Sequence, residues 1–395
     1  MTAIMKGVRV VEVAEHAFIP AAGALLADWG AEVIKIEPAE RGDAARGLNT
    51  VGDDVNLLFE NANRGKQSLA LDLAAPEGRE ILYRLVATAD VFLTNKLPKV
   101  RRKLKIEVED IRAHNPKIIY VRGGGAGERG PEAERGSYDL LSYWHRSGAS
   151  QAVTDPNGEI PFLPAPGFGD FTGAMFIAGG TMGALFHRER TGEAPVMDAS
   201  LFATGMWAMS GAVAAATRDP NWSWPPPIAN PLSRIYETKD GRRIALCCLQ
   251  TGYYWPILTR HIDRQDLADD PRFSDHQSIL ANNTAAIALL REEFARRTLA
   301  EWCELLADFP GQWTVARAAH EVAQDPQVEP NGYLQTVHSA AGTPFQLVAA
   351  PLQYDGRPAV PRRGPEFNEH GDAILASLGL DWDKIVDLKV RGVVG

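Results

Sequence analysis

The chain is poor in cysteine, and this shortage excludes several kinds of site. Three cysteines occur among 395 residues, Cys247, Cys248 and Cys303, and their spacing fits neither a disulfide framework nor a CxxC pair nor a zinc site. The nine histidines are scattered and no HExxH motif is present, so we expect no metal centre. So few cysteines are typical of a reducing compartment, and we expect a cytoplasmic protein.

The sequence also lacks a long hydrophobic run and an excess of positive charge. No uncharged stretch reaches the roughly 20 consistently apolar residues of a membrane helix, and the first residues do not resemble a signal peptide. The formal net charge of −9 argues against nucleic-acid binding. One local exception is basic, and it comprises Lys96, Lys99, Arg101, Arg102, Lys103 and Lys105. This run is either a solvated helical face or a receiver for the phosphates of a small ligand.

Strand and helix patterns alternate along the first half of the chain. Residues 8–14, 20–30 and 32–38 read as strand, helix and strand, which form a βαβ unit and favour a parallel sheet. The alternation continues with helices at 76–89 and 108–115 and strands at 91–95 and 117–123. The pattern predicts an open α/β domain.

A change of composition marks a domain boundary at NWSWPPPIANP, residues 221–231, because three successive prolines cannot continue a helix. Beyond it, Asp240-Gly241 between two strand-like runs predicts a hairpin, and helical periodicity follows at 283–297 and 298–309. We therefore predict a large domain over 1–220, a smaller α+β domain over 221–331 and a final segment over 332–395.

Common nucleotide and hydrolase motifs are missing. GAGERG at 125–130 satisfies GxGxxG, but the residues after it do not open an apolar helix that could receive a pyrophosphate. The first βα turn contains no glycine, and neither GxxxxGK[ST] nor GxSxG occurs. These patterns argue against nicotinamide, P-loop and serine-hydrolase chemistry.

One acid, Asp170, stands before a run in which residues 171–186 are all uncharged. A stripe at helical spacing is expected to face a core, and it comprises Phe171, Met175, Ala178, Met182 and Leu185. Another side of the same helix is nearly bare, which suggests close approach of a backbone or a ligand, and it carries Gly173, Gly179, Gly180 and Gly183.

Two interpretations of Asp170 follow. The plain one is that it caps the helix. In the other, burial opposes ionisation while the positive end of the helix favours it, leaving an ionised but poorly hydrated carboxylate that can attack an activated carbonyl. Neighbouring backbone amides could then stabilise an oxyanion.

The sequence resembles the class III coenzyme A transferases, the family that includes carnitine and bile-acid CoA-transferases, formyl-CoA transferase and the α-methylacyl-CoA racemases. The resemblance is carried by several blocks in order: 8–38, 61–73, 89–95, 115–131, 136–141, the Asp170 segment and 190–201. It implies a Rossmann-like large domain with an open parallel sheet, an inserted smaller α+β domain, a C-terminal return to the large domain, and two subunits in an interlocked homodimer.

The resemblance also implies a reaction and its residues. Asp170 would attack the thioester of an acyl-CoA, giving an acyl-aspartyl anhydride and then an aspartyl-CoA thioester that loads CoA onto a carboxylic acid acceptor. No permanently bound cofactor is expected, since CoA is a substrate. The implied CoA-binding residues are Asn95, Lys96, Lys103, Arg64, Lys66 and Tyr138, and the implied substrate pocket contains Tyr138, Trp144 and Gln250. With Trp144 as a wall, a bulky apolar or aromatic acyl group would fit best.

Departures from the family keep two alternatives open. Ala17 stands where formyl-CoA transferase has a glutamine, and Pro38 where it has an arginine that contacts CoA, so the contacts to CoA are expected to differ. Racemases of the family have a histidine base where this chain has Tyr138, and a phenol with a pKa near 10 is a poor base, which favours transfer over racemisation. The other alternative is a catalytically silent CoA-binding protein.

Overall fold

The computed structural model describes residues 3–48, 55–154, 158–222 and 230–395. The chain divides into two compact units, Met1–Ala215 with Pro326–Gly395, and Ala216–Asp325. The boundaries proposed from composition, after residues 220 and 331, lie a few residues beyond these divisions. Of the proline-rich boundary segment, residues 223–229 lie outside the described residues.

A six-stranded parallel sheet forms the centre of the first unit. Its strands are β1 (Arg9–Val13), β2 (Glu32–Pro38), β3 (Gln67–Leu71), β4 (Val91–Thr94), β5 (Ile119–Gly124) and β6 (Val196–Ser200). Their order is β3-β2-β1-β4-β5-β6, with every neighbouring pair parallel, as in doubly wound sheets. Most residues of β1 to β5 are buried because helices cover both faces, although β1 and β2 also carry charged side chains such as Glu12 and Lys35. The predicted parallel α/β sheet is confirmed.

The helices are, in chain order, α1 (Phe18–Asp28), α2 (Leu57–Asn63), α3 (Pro76–Val86), α4 (Pro98–Leu104), α5 (Val108–Arg112), α6 (Ala149–Ala152), α7 (Phe168–Thr191), α8 (Leu201–Ala208), α9 (Ser210–Arg218), α10 (Thr251–His261), α11 (Gln265–Ala268), α12 (His276–Ala281), α13 (Asn283–Phe294), α14 (Leu299–Leu305), α15 (Ala319–Val322), α16 (Val328–Asn331), α17 (Gly371–Ser377) and α18 (Trp382–Val390). Short 3₁₀ turns occur at Ala44–Gly47 and Pro271–Phe273, and a π-helical turn occupies Leu140–His145.

Two apolar cores flank the parallel sheet. On one face α1 and α7 pack together, with Leu26 and Ala178 fully buried between them and the sheet. On the other face α3, α17 and α18 contribute Leu82, Leu375 and Leu388. The chain's end completes this second core, since the amide of Asp72 donates to the carbonyl of Val393 at 2.9 Å. A hairpin of β10 (Leu334–His338) and β11 (Pro344–Val348) also belongs to this unit.

The second unit combines helices α10 to α15 with a three-stranded antiparallel sheet of β7 (Ile235–Glu237), β8 (Arg243–Leu246) and β9 (Trp313–Val315). The predicted hairpin is confirmed, and Gly241 in its turn has φ +72°. The core of this unit is aromatic, with Trp255, Phe273, Phe294 and Trp302 all buried.

Candidate active site

A cleft of about 400 Å³ opens beyond the carboxyl ends of the central strands. The strand order reverses between β1 and β4, and a sheet of this kind leaves a ligand crevice at that point. Three loops following strands line the cleft: Glu15–Phe18 after β1, Asn95–Leu97 after β4, and Gly123–Gly125 at the end of β5. Tyr138, Asp170 and Leu201 complete the wall. The cleft therefore brings together the predicted residues Asn95, Lys96, Tyr138 and Asp170.

The loop after β1 is held in an unusual conformation. His16 has φ +66°, in the left-handed region that a residue with a side chain seldom adopts. Its amide donates to Oδ1 of Asp43 at 3.0 Å. Asn95 holds the preceding residue from the other side, since its side chain accepts from the amide of Glu15 at 3.1 Å and donates to the carbonyl of Glu15 at 2.6 Å. These contacts fix the edge of the cleft.

A buried ionic network lies beneath this loop. Lys35 is fully buried and forms ion pairs with Asp43 at 2.7 Å and Glu12 at 3.2 Å. Lys66 donates to both carboxylate oxygens of Glu12, at 2.8 and 2.7 Å, and to Oδ1 of Asn63 at 3.0 Å. Burial and the charge of Lys35 lower the pKa of Lys66 to about 7, against the opposing attraction of Glu12. This network supports Asp43, and through it the His16 loop.

Charged groups line one side of the cleft. Glu15 forms ion pairs with Lys96 and, at 2.7 Å, with Arg41. Burial acts to raise the pKa of Glu15, but the two cations outweigh it and lower that pKa. The ion pair with Glu15 fixes the position of the Lys96 ammonium group at the wall of the cleft.

Asp170 lies in the first turn of α7 and does not cap it. The helix begins at Phe168, and its N-cap is Gly167, with φ +71°. None of the described residues donates a hydrogen bond to the Asp170 carboxylate. Burial raises the pKa of this carboxyl to about 7, and the charge of Asp139 adds to the effect. These two effects outweigh the helix dipole, so the carboxylate, expected to be ionised but poorly hydrated, is partly protonated near neutral pH.

Glycine is needed next to Asp170 and one turn later. A Cβ at Gly169 would lie 2.2 Å from the Tyr143 ring and 2.3 Å from Oδ1 of Asp139, and one at Gly173 would lie 2.4 Å from the Phe18 ring. Close approach therefore occurs at Gly173 and also at Gly180, where a Cβ would lie 2.6 Å from Sδ of Met197, but in both places a side chain approaches and not the expected backbone or ligand. Gly179 and Gly183 meet nothing within 4 Å in the part of the chain that the structure describes.

The amides predicted to form an oxyanion hole are already engaged. The amide of Gly169 donates to Oδ2 of Asp139 at 2.9 Å, and that of Phe171 donates to the carbonyl of Gly167 at 2.8 Å. That expectation is therefore corrected, because these donors point along the helix and towards Asp139.

Arg64 and Lys66 have buried internal partners. Arg64 forms an ion pair with Asp28 at 2.8 Å and donates to the carbonyl of Val348 at 3.0 Å, while Lys66 is held by Glu12. Neither lines the cleft. A phosphate could reach either cation only by displacing these partners, and a role of Arg64 or Lys66 in binding CoA stays a prediction.

The other predicted residues occupy varied positions. Tyr138 is 61% exposed and stands edge-on to His16, with ring centroids 5.4 Å apart. Trp144 is buried, and its indole nitrogen donates to the carbonyl of Pro161 at 2.8 Å, so it packs in the core and does not form a wall of the cleft. Gln250 is exposed and directly precedes α10 in the second unit. Lys103 is exposed on α4.

The basic run on α4 is divided between two roles. Arg101 is buried, where it pairs with Glu128 at 2.6 Å and with Glu107 at 3.1 Å, and Arg102 pairs with Glu134. No ion pair or hydrogen bond to Lys103 is formed within residues 3–48, 55–154, 158–222 and 230–395. Part of the run is therefore structural, and a role for Lys103 in binding CoA stays a prediction.

A second, larger cavity of about 680 Å³ adjoins the same strand ends. Pro38 and Leu71 line it at the ends of β2 and β3, and Leu104 of α4 and the C-terminal Gly395 close its sides. Lys96 lines both cavities, so the two spaces meet at this residue.

Sequence reasoning missed His16, Asp139 and Arg41. A histidine shortly after a buried strand is an ordinary loop residue by pattern, and no pattern in the sequence marks Asp139. Arg41 follows β2, lines the cleft and pairs there with Glu15. Each depends on a contact between segments far apart in the chain.

Two negative findings concern the described part of the chain. It contains no helix long and apolar enough to cross a membrane. It also contains no group of three or more histidine, cysteine or acidic side chains placed to hold a metal ion.

Comparisons with known proteins agree with this geometry. The family described as CoA-transferase family III matches residues 5–371. The chain is 30% identical over 411 residues to the (R)-2-hydroxy-4-methylpentanoate CoA-transferase of Clostridioides difficile, with 99% of each chain covered. It is 28% identical to the α-methylacyl-CoA racemase of Homo sapiens, covering 99% of this chain and 97% of that one. A solved structure of a CAIB/BAIF family protein from Brucella suis superposes with a TM-score of 0.82 at 27% identity, covering 96% of this chain and 100% of that chain. The chain therefore belongs to CoA-transferase family III and is an enzyme of this class.

Proposed function

We propose that this enzyme transfers CoA from an acyl-CoA to a carboxylic acid, with Asp170 as the nucleophile. The observation that carries the proposal is the state of Asp170: a partly buried carboxylate in a cleft, free of hydrogen bonds from the described residues, with its pKa raised to about 7. A poorly hydrated carboxylate of raised basicity is a better nucleophile than one in water. At neutral pH a substantial fraction is ionised and able to react.

The reaction proceeds by exchange at acyl carbons. An Asp170 oxygen attacks the carbonyl carbon of the thioester. The C–S bond breaks, the CoA thiolate is released, and the acyl group remains on Asp170 as an acyl-aspartyl anhydride. The thiolate then attacks the aspartyl carbonyl, which releases the donor acid and forms an aspartyl-CoA thioester. The acceptor carboxylate attacks this thioester and expels the thiolate, which finally attacks the acceptor's carbonyl. Acceptor acyl-CoA forms, the Asp170 carboxylate is regenerated, and no net proton is consumed.

The two cavities suggest how CoA is bound. The larger one, beyond β1 to β3, would hold the nucleotide, and the smaller one would hold the thioester beside Asp170. Lys96 stands where they meet, and Lys103 supplies an unpaired charge on the adjacent α4, so both can face phosphates. Asn95 fixes the loop that the pantetheine arm would pass, and Tyr138 forms the outer wall. Gln250 stays a prediction for the substrate pocket.

The acyl group is proposed to be a monocarboxylic acid with an apolar chain. The cleft wall includes Phe18, Leu97, Val100 and Leu201. These side chains suit a branched hydrocarbon better than a second carboxylate, whose desolvation they would not compensate. The relative from Clostridioides difficile is named for 2-hydroxy-4-methylpentanoate, an acid of this kind.

Mass spectrometry of the Asp170 peptide tests the proposal. After incubation with 4-methylpentanoyl-CoA, we expect a CoA thioester on Asp170 that hydroxylamine converts to a hydroxamate. Asp170→Asn keeps the shape but removes the nucleophilic oxygen, so it should carry no adduct and lose at least about 10³-fold in CoA exchange. Asp270→Asn, which removes a half-buried carboxylate that pairs with Arg272 in the second unit, is the control and should exchange CoA as wild type does. An unmodified Asp170 in an enzyme that turns over would refute the mechanism.

Racemisation at the α-carbon is the second candidate, and one observation favours it. His16 lines the same cleft as Asp170, so an imidazole is present although position 138 is tyrosine. A carboxylate and an imidazole facing the α-carbon could remove and return its proton. Incubation in deuterated water separates the two reactions: transfer leaves the α-carbon unlabelled, whereas racemisation introduces deuterium without any acceptor acid.

We further propose that the enzyme is an interlocked homodimer. The family resemblance implies this assembly, and the first unit exposes a set of large apolar side chains on α7 and α8, namely Phe176, Phe186, Met206 and Trp207. Exposed apolar patches of this kind mark association surfaces.

A further inference from the structure

Asp139 caps the helix that carries Asp170. Gly167, the N-cap residue, has no side chain that could accept from the first free amides of α7. Asp139 takes this role from another segment, accepting from the amide of Gly169 through Oδ2 at 2.9 Å. Its side chain is only 5% exposed. Asp139, thirty residues before Gly169, thus caps the helix, which is the role that the plain interpretation gave to Asp170.

The second oxygen of Asp139 is unusual. Oδ1 is buried and has no hydrogen-bond partner in the described chain. It lies against the backbone beside Asp170, since a Cβ at Gly169 would come within 2.3 Å of it. Leaving a buried acceptor without a donor costs about 1–3 kcal/mol. Asparagine could accept from the same amide without bringing a negative charge, so the cap alone does not account for a carboxylate here.

The charge of Asp139 has an effect at position 170. Two carboxylates at one site oppose each other's ionisation. The charge of Asp139 is the second cause, after burial, of the raised pKa of Asp170. Burial raises the pKa of Asp139 too, although the amides of Gly169 and Asp170 act to lower it, whereas no amide in the described part of the chain acts on the Asp170 carboxylate in this way.

We propose that Asp139 is a positioning residue for the nucleophile Asp170: it binds the first turn of α7, leaves the Asp170 carboxylate free to face the cleft, and places a second negative charge behind it. This role rests on the proposed function. A carboxylate that capped its own helix would have its lone pairs held by amide hydrogens, and it would be both less basic and misdirected for attack on a thioester. Asp139 relieves Asp170 of that task.

Other ionisable groups face the same space, and each is fixed by its own partners. Glu15, Lys96 and Arg41 form a mutual ion pair at the far wall, and Tyr138 stands against His16. Tyr143 packs behind Gly169, and the Thr172 hydroxyl is its hydrogen-bond partner. Among these groups Asp139 alone bonds to the first turn of α7, so its replacement changes both the cap and the charge.

The test titrates Asp170 directly, without turnover. Protein labelled with ¹³C at aspartate carboxyls is followed by NMR from pH 4 to 9, and the Asp170 signal is assigned by its absence in Asp170→Asn. Wild type should titrate with a midpoint near 7, shared with Asp139 as a coupled pair. Asp139→Asn keeps an acceptor for Gly169 and should move the midpoint to lower pH. Asp381→Asn, at the cap of α18, removes a comparable helix-capping charge and should leave it unchanged.

Adduct formation on Asp170 then connects titration to chemistry. In single-turnover experiments at pH 6, a midpoint one unit lower would raise the ionised fraction about fivefold, so Asp139→Asn should form adduct faster than wild type there. Asp139→Ala loses the cap as well and should be slow at every pH. Equal midpoints in wild type and Asp139→Asn would overturn the positioning role. Absence of adduct from all variants, with the shift in midpoint present, would instead overturn the proposed function.

Discussion

At the scale of single residues, Asp170 occupies a position at which an uncharged side chain would make the folded protein more stable. Its pKa in the folded protein is about 7, above the value of about 3.9 in an unfolded chain. The folded state therefore binds this proton more tightly, and folding stability falls as the pH rises from about 4 to 7. Above pH 7 the full cost of a buried carboxylate beside Asp139 is present.

Asp170→Asn should therefore stabilise the protein at the expense of activity. The gain in unfolding free energy over wild type should grow by about 2–4 kcal/mol between pH 4 and pH 8, because asparagine has no charge to bury. Urea denaturation at a series of pH values measures it. Asp270→Asn is the contrasting control, since the side chain of Arg272 lowers the pKa of Asp270 and its loss should act in the opposite direction. A gain that does not depend on pH would contradict the argument.

The sequence marks Asp170 as an unusual residue, but it does not show why the pKa of this carboxyl is raised or why the carboxylate is free of the helix cap. An acid before a long uncharged helix can be recognised from one segment alone. Its freedom from the cap depends on Asp139, and its cleft depends on loops after β1, β4 and β5, which are distant in sequence. The internal partners of Arg64 and Lys66 could not be predicted for the same reason, because Asp28 and Glu12 are contributed by other elements.

At the scale of elements, hydrophobic patterning was sufficient for four of the six strands of the parallel sheet, β1, β2, β4 and β5, and for helices α1, α3 and α5. The buried strands of a doubly wound sheet are nearly continuous apolar runs, and their helices carry strong periodicity, so both can be read locally. Helix starts were less predictable. α7 begins at Phe168 because Gly167 adopts a left-handed conformation, and the residue that satisfies its amides lies in another segment.

Helix α4 illustrates how one basic run serves two purposes. Arg101 fastens the helix to Glu128 and Glu107, which fixes α4 beside the strand ends. Lys103 lies on the exposed side of the helix, where we propose that it binds a phosphate of CoA. The compositional pattern could not separate the two, because only the fold brings Glu128 to Arg101.

We expect Lys103→Ala to weaken binding of CoA by up to about fivefold, because an exposed ion pair contributes little binding free energy. The loss should shrink as salt is raised, since exposed charges are screened. Isothermal titration with CoA and with 3′-dephospho-CoA measures it: variant and wild type should bind the dephosphorylated ligand alike if Lys103 meets the 3′-phosphate. Lys117→Ala, an exposed lysine at the opposite end of β5, is the control and should bind CoA normally. Unchanged affinity in Lys103→Ala would remove this residue from the site.

At the scale of the whole molecule, the first unit presents an apolar face that the described residues leave uncovered. Phe186 on α7 and Trp207 on α8 are each 68% exposed, and a Cβ at Gly179 or Gly183 of α7 would meet none of the described residues within 4 Å. Residues 176, 179, 183 and 186 share one side of that helix by spacing. A bare, small-residue surface flanked by aromatic rings can receive another helix closely, and a second copy of the chain is the partner that the proposed interlocked homodimer supplies.

The homodimer should have twice the 43.0 kDa mass of the chain in sedimentation experiments. If the two chains are threaded through each other, separation requires unfolding, so affinity-tagged and untagged dimers mixed in native buffer should yield no mixed dimers over days. Mixed dimers should appear after denaturation and joint refolding. Phe186→Asp should hinder assembly, because a charge would be buried in an apolar interface, whereas Val390→Asp, at an exposed apolar position on α18, should not. Exchange of subunits within minutes in native buffer would show two separable protomers and exclude the interlocked arrangement.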